Sequence, residues 1–207
     1  MTVHALLWVD LETTGLHPQS DKILEVAWHL TTFKFPRTVL NSGHMLIRWY
    51  RPTDVLNLPD AVQEMHTKSG LLAELADPAV PAASGLSRLA IELMTLSSGW
   101  DPKDAEKRVV IAGSSAHFDL SFLRAQMPEF ARRLSHRVYD VSSLAMQCQA
   151  LGMPPLPAVE SQHRAKVDIL QSIEHEKACV RWLSTLSYDS RLLDTLTDTP
   201  AGTRTDD

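Results

Sequence analysis

Near its N-terminus the chain carries an apolar run, Ala5-Leu6-Leu7-Trp8-Val9, with the length and composition of a buried strand, which two carboxylates, Asp10 and Glu12, then interrupt. Gly15-Leu16-His17-Pro18 marks a turn. Asp21 to Leu30 reads as a second, mostly apolar strand and His44 to Trp49 as a third. Three strands in quick succession, with no helical period between them, predict an antiparallel meander. Beyond a link at Arg51-Pro52, the stretch Leu58 to Leu75 places Ala61, Met65 and Leu72 at roughly helical spacing. Ala76 to Ser84, rich in Ala and Pro, reads as a loop. Ser84 to Ser98 repeats Leu86, Leu89, Ala90, Leu93 and Met94 as an amphipathic helix.

The second half alternates. Arg108 to Gly113 is a short β-branched strand, buried on both faces by its composition. Phe122, Leu123, Met127, Phe130 and Leu134 follow at helical spacing, broken or restarted at Pro128. Arg137 to Val141 reads as a last strand and Ser142 to Leu151 as a helix closed by Gly152 and Pro154-Pro155. A final long helix starts near Arg164 with an inner stripe of Ala165, Ile169, Leu170, Ile173, Val180 and Leu183. The order predicts an α/β domain over residues 1–186: a mixed five-stranded sheet, an antiparallel meander plus parallel strands, flanked by helices. Residues 187–207, rich in Thr and Asp, read as a poorly ordered tail.

Composition narrows the picture without deciding it. At 207 residues and 44% hydrophobic, the chain can bury one substantial core. No apolar run reaches the length of a membrane span and no secretory signal is read, so a cytoplasmic setting with no membrane partner is expected. Cys148 and Cys179 form no metal-spaced pair and read as small buried hydrophobes. A net charge of −5 argues against coating long nucleic acid through a broad basic face, yet leaves room for a small nucleic-acid substrate.

The chemistry lies in the carboxylates. Alternate side chains of a strand share a face, so Asp10 and Glu12 point the same way, and two like charges side by side repel unless a cation, commonly a divalent metal, sits between them. Alone, the pair reads more simply as a strand running out into a solvated acidic turn. Asp119, opening a helix after the small-residue turn Gly113-Ser114-Ser115-Ala116, reads alone as a helix cap. His163-Arg164-Ala165-Lys166-Val167-Asp168 leads into the last helix, with Asp168 beside the stripe position Ile169. His163 and Asp168 stand about 140° apart around an ideal helix, so they converge only if His163 lies off the regular helix.

Together these residues make four carboxylates and one histidine, each at a strand or helix end. The set resembles the DEDDh family of 3′-to-5′ exonucleases on the ribonuclease H-like fold. That family carries Asp-x-Glu on its first strand, an Asp after a later strand and His-x4-Asp at the last helix. Here these are Asp10 with Glu12, Asp119, and His163 with Asp168, and the resemblance spans roughly Leu6 to Leu183. Within the family the chain is similar to the oligoribonuclease branch. The likeness runs through Asp10-Leu11-Glu12-Thr13-Thr14-Gly15-Leu16, His66-Thr67-Lys68-Ser69-Gly70-Leu71, Gly113-Ser114-Ser115 and Tyr139-Asp140-Val141-Ser142-Ser143-Leu144. Three departures stand out. Ser114 replaces the family's Asn, His136 falls where the family has a tyrosine reaching the partner subunit's substrate, and the segment around Met153 to Ser161 differs.

The resemblance implies a two-metal exoribonuclease that degrades short single-stranded oligonucleotides, RNA in preference to DNA, to nucleoside 5′-monophosphates, and that works as a homodimer. Asp10, Glu12, Asp119 and Asp168 would hold two Mg²⁺ or Mn²⁺ ions about 4 Å apart. His163 would be the general base, a role that the ordinary histidine pKa near 6.5 suits. Leu16 would wedge against the terminal bases. Ser115 of one subunit, with Arg137 and Ser142 of the other, would hold the 5′-terminal phosphate. His66 would contact a nucleotide or serve a structural role, the latter being the better reading. The ordinary readings are Leu16 as core, Arg137 as solvated surface and Ser142 as a helix N-cap. Two other functions fit the same motifs: a DEDDh exonuclease on longer DNA or RNA 3′ ends, and an inactive nucleic-acid-binding module.

Overall fold

The computed structural model describes residues 3–49, 58–156 and 162–186. The link at Arg51-Pro52, the stretch 157–161 and the expected tail lie outside the described residues. The meander forms as β1 (Ala5–Thr13), β2 (Ile23–Thr32) and β3 (Val39–Arg48), paired antiparallel in sequence. β5 (Val109–Gly113) pairs parallel with β1, and β6 (Val138–Asp140) parallel with β5. A sixth strand joins the five expected: β4 (Ala83–Ser84) pairs with Ile47 and Arg48, giving the order β4-β3-β2-β1-β5-β6. Two residues are too few to show alternation, so this strand is hidden in the Ala- and Pro-rich stretch.

β1 lies in the middle of the sheet, and its two faces are buried against different layers. Ala5, Leu7, Val9 and Leu11 join the larger core with Leu89 and Leu93 of α3 (Ser87–Leu96), Leu120, Phe122 and Leu123 of α4 (His117–Gln126) and Phe130 of α5 (Pro128–Ala131). Leu6 and Trp8 face the other way. They pack with Val110 and Ala112, Val141 of α6 (Val141–Ala150), and Ala165 and Ile169 of α7 (Ala165–Thr185). The even-numbered positions of β1 therefore face α7, and Asp10 and Glu12 continue that set.

Two helical readings need correction. The stretch 58–75 is two helices, α1 (Asp60–Lys68) and α2 (Leu71–Ala76), separated at Gly70, whose φ of 77° ends the first. The break interrupts the spacing read from Ala61, Met65 and Leu72: α1 buries His66, while α2 buries Leu71 and Leu75. In α7 the buried stripe is Ala165, Ile169, Ser172, Glu176 and Cys179, whereas Leu170 is exposed. The polar members are tolerated because each has a partner. Ser172 donates to Ser114 Oγ (2.9 Å), and Glu176 is paired with Arg37, which also stacks on Phe35 and Tyr139.

Trp8 and Trp28 are core residues whose indole N–H groups are satisfied by Thr31 Oγ1 (3.0 Å) and Asn41 Oδ1 (2.9 Å). Trp28 lies flat over its cross-strand partner Gly43, where an added Cβ would come within 1.9 Å of the ring. Gly43→Ala is therefore expected to lower unfolding stability by about 1–3 kcal/mol through overpacking, as measured by urea denaturation. An unchanged midpoint would show that the indole can move aside.

Candidate active site

The site forms where the end of β1 meets the start of α7. Glu12 is 6% exposed and Asp10 half-buried, both on the α7 face. Asp168, in the first turn of α7, comes to the same point. So does His163, which precedes the helix with φ 50° and is thereby turned off its cylinder. Ligand atoms of Glu12, His163 and Asp168 all lie within 4.8 Å of one another. The convergence that an ideal helix forbids is made by two residues off the helix, left-handed His163 and extended Arg164.

Asp119 reaches the site from the opposite layer. It is not the cap of α4. Its Oδ1 accepts the backbone N–H of Leu11 (3.0 Å), fixing a buried carboxylate against β1 between Asp10 and Glu12 in sequence. The turn that delivers it needs close approach: a Cβ on Gly113 would lie 3.1 Å from the Val9 carbonyl, and Ser115 takes φ 57°.

The electrostatics follow from this crowding. Burial, and then the charges of Asp119, Glu12 and Asp168, push Asp10 well above the ordinary Asp value. Glu12 is raised to about 8 by burial and by Asp168, Glu25 and Asp119, with Arg164 opposing. Asp119 is raised to about 8, chiefly by burial. Without a cation, this face of β1 holds its protons into the neutral range. Mutually repelling, hard oxygen ligands of this kind fit a divalent metal ion.

The remaining candidates fall in different places. Leu16 is 75% exposed. It rides on a turn braced by Asp21, which accepts from His17 N (2.7 Å) and Thr14 Oγ1 (3.4 Å) and would be struck by any Cβ at Gly15. Leu16 is thus surface and not core. His66 is fully buried, donating from Nε2 to the Thr13 carbonyl (2.8 Å), with Nδ1 3.8 Å from Glu12 Oε2. Burial lowers its pKa. Ser115 is exposed beyond β5 and Ser142 half-buried beyond the neighbouring end of β6, while the exposed Arg137 stands at the other end of β6. The cap of α6 is Asp140, which accepts Ser143 N (3.1 Å), so Ser142 is free of that duty. Sequence reading passed over Glu25, which lies directly across from Glu12 in the β1–β2 register. An acidic residue inside Ile23-Leu24-Glu25-Val26-Ala27 was the available signal.

The mixed sheet, with buried carboxylates at the end of its central strand, belongs to a protein of the exonuclease class, as its relatives show. The exonuclease family model RNase_T matches residues 7–175. The oligoribonuclease of Corynebacterium diphtheriae is 35% identical over 180 residues, covering 83% of this chain and 81% of that protein. A probable oligoribonuclease of Dictyostelium discoideum is 32% identical, covering 84% of this chain and 87% of its own. Among solved structures, the zinc-bound exonuclease I–single-stranded DNA complex of E. coli superposes with a TM-score of 0.56 at 16% identity, over 94% of this chain. The present chain spans 43% of that enzyme's length, so this likeness speaks for the fold. The chain belongs to the RNase_T exonuclease family, among its oligoribonuclease relatives.

Protons retained by the folded state set a pH dependence. In an unfolded chain Glu12 and Asp119 lose their protons near 4.5 and 3.8, but in the fold they keep them to about 8. Between those limits the folded state binds more protons, so raising pH favours unfolding. Metal-free protein is expected to lose melting temperature steadily from pH 5 to 8, and added Mg²⁺ or Mn²⁺ to restore it most at the alkaline end. A flat metal-free profile would remove the repulsion from the account.

Proposed function

We propose that the protein is a metal-dependent 3′-to-5′ exoribonuclease that degrades short single-stranded oligoribonucleotides to nucleoside 5′-monophosphates, acting as a homodimer in the cytoplasm. The observation that carries this reading is the meeting of Glu12, His163 and Asp168 within 4.8 Å, in a chain whose relatives are oligoribonucleases. Asp10, Glu12, Asp119 and Asp168 would hold two Mg²⁺ or Mn²⁺ ions, their charge supplying what the buried carboxylates lack. When bound, such ions offset the charge of the scissile phosphate and acidify a water molecule. The reducing setting suits two free, buried cysteines, Cys148 and Cys179. No helix among the described residues is long and apolar enough to cross a membrane.

The chain's own groups do the rest. His163, held off the helix beside Glu12 and Asp168, takes the proton of the attacking water on a ring nitrogen. His66 steadies the end of β1, and Asp119 ties α4 to the same strand. Leu16, apolar and projecting from a braced turn, wedges against the terminal bases. Ser115 of one subunit and Arg137 with Ser142 of its partner hold the 5′-terminal phosphate, for which hydroxyl and guanidinium donors are suited. In one chain Arg137 stands at the far end of β6 from both serines, an arrangement that a second subunit would complete.

A length series tests this directly. Labelled di- to pentaribonucleotides should be cleaved at least about tenfold faster than a twenty-mer, since charge-assisted hydrogen bonds to the terminal phosphate are worth about 1.5–3 kcal/mol. Preference for the twenty-mer would instead identify an enzyme of longer 3′ ends, and no cleavage with Mn²⁺ an inactive binding module. Asp119→Asn keeps the acceptor for Leu11 N–H but removes a charge. It should raise metal-free stability at pH 8 while cutting kcat by about a hundredfold or more, given that even partners of ligands are worth about 10–100-fold. Wild-type turnover in that variant would misassign the second motif.

A further inference from the structure

We infer that Glu25 and Arg164 form a clamp that sets the position of His163 over Glu12 and Asp168. This makes both of them positioning residues for the reaction, and the inference rests on the function proposed above. Glu25 is completely buried near the start of β2. A carboxylate buried there without partners would be strongly destabilising, and an apolar residue would fill the place more simply. Instead both its oxygens are occupied. Arg164 donates from Nε to Oε2 (3.1 Å) and from Nη2 to Oε1 (3.2 Å), and His44 Nε2 lies 2.6 Å from Oε1. The backbone N–H of Ala165 donates to Oε2 (3.1 Å).

That last bond identifies what the carboxylate does. Ala165 is the first residue of α7, and Arg164 at the N-cap position makes no side-chain cap. Glu25 therefore caps the helix from a neighbouring strand, satisfying an orphan N–H and placing negative charge at the helix N-terminus. Arg164 is held from the other side as well, by Glu74 of α2, with Nη1 to Oε1 at 3.0 Å and Nη2 to Oε2 at 2.8 Å. A planar fork gripped by two carboxylates has little freedom to rotate.

The residue just before this anchor is His163, in a left-handed conformation unfavourable for any residue with a side chain. Left to itself, the lead-in would relax toward helix and carry the imidazole away from Asp168. The fixed neighbour at 164 holds the bend. Because Glu25 stands opposite Glu12 in the β1–β2 register, the strand that anchors the clamp is also the strand paired with the ligand-bearing segment. The position of His163 is thus referred to that of Glu12 through a single strand pair.

The test uses the full chain with Mn²⁺ and a short oligoribonucleotide, comparing wild type, Arg164→Lys and Glu74→Gln. Lysine keeps the charge but cannot bridge two carboxylates. In Arg164→Lys, kcat should fall by about tenfold or more, while KM and Mn²⁺ affinity stay within about twofold. Broadening of the His163 ring signal by bound Mn²⁺, followed by NMR, should weaken in the same variant. Glu74→Gln removes one grip at a partly exposed carboxylate, so the fold survives, and kcat should fall by about two- to fivefold at unchanged melting temperature. Wild-type kcat and wild-type broadening in both variants would overturn the clamp, as would losses that only track melting temperature or Mn²⁺ affinity. Should Arg164→Lys fail to fold, Glu74→Gln decides. If the wild type cleaves nothing, the proposed function fails, and the broadening contrast alone still decides the clamp.

Discussion

Carboxylates buried together repel, and on the α7 face of β1 the fold brings Asp10, Glu12 and Asp168 against one another, with Asp119 bound to the same strand. Nothing about a stable apolar core calls for this. Trp8 and Leu6, on the same face two and four residues before Asp10, show how the strand would continue if packing were its only task. The cost of the acidic end is carried by β1 itself, paired to β2 along its length and to β5 up to Trp8, so the backbone that bears the charges is fixed. Repulsion held in place by the sheet is what a divalent cation would relieve, and His163 stands at the same point.

How far this was legible in the sequence depended on the range of each interaction. Alternation along β1 is local, so Asp10 and Glu12 could be put on one face from their spacing alone. The His163–Asp168 spacing likewise stated its own geometric condition, a residue off the helix, which φ at His163 meets. Interactions between distant segments left no such trace. Glu176 has no place in the apolar stripe read for α7, because its partner Arg37 lies 139 positions away. His66 sat among polar neighbours with no sign that the β1 carbonyl at Thr13 would bury it. Glu25 was an anomaly in an apolar strand, and its meaning depended on Arg164, again 139 positions distant.

The layout also divides labour between rigid and adjustable parts. The acidic residues stand on the central strand and in the first turns of the helices packed against it. Leu16, Ser115, Arg137 and Ser142 lie in turns or at strand and helix ends toward the surface, away from the charges beneath.

The central claim, that buried mutual repulsion is what prepares this site for cations, is tested most directly by calorimetric titration of Mn²⁺ into the metal-free protein at pH 7 in buffers of different ionisation enthalpy. Glu12 and Asp119, raised to about 8, are mostly protonated at that pH, so metal binding must expel protons. The account predicts about two ions bound per chain, with more than one proton released and the release fading toward pH 9. Tight binding with no proton release, or no binding at all, would contradict it.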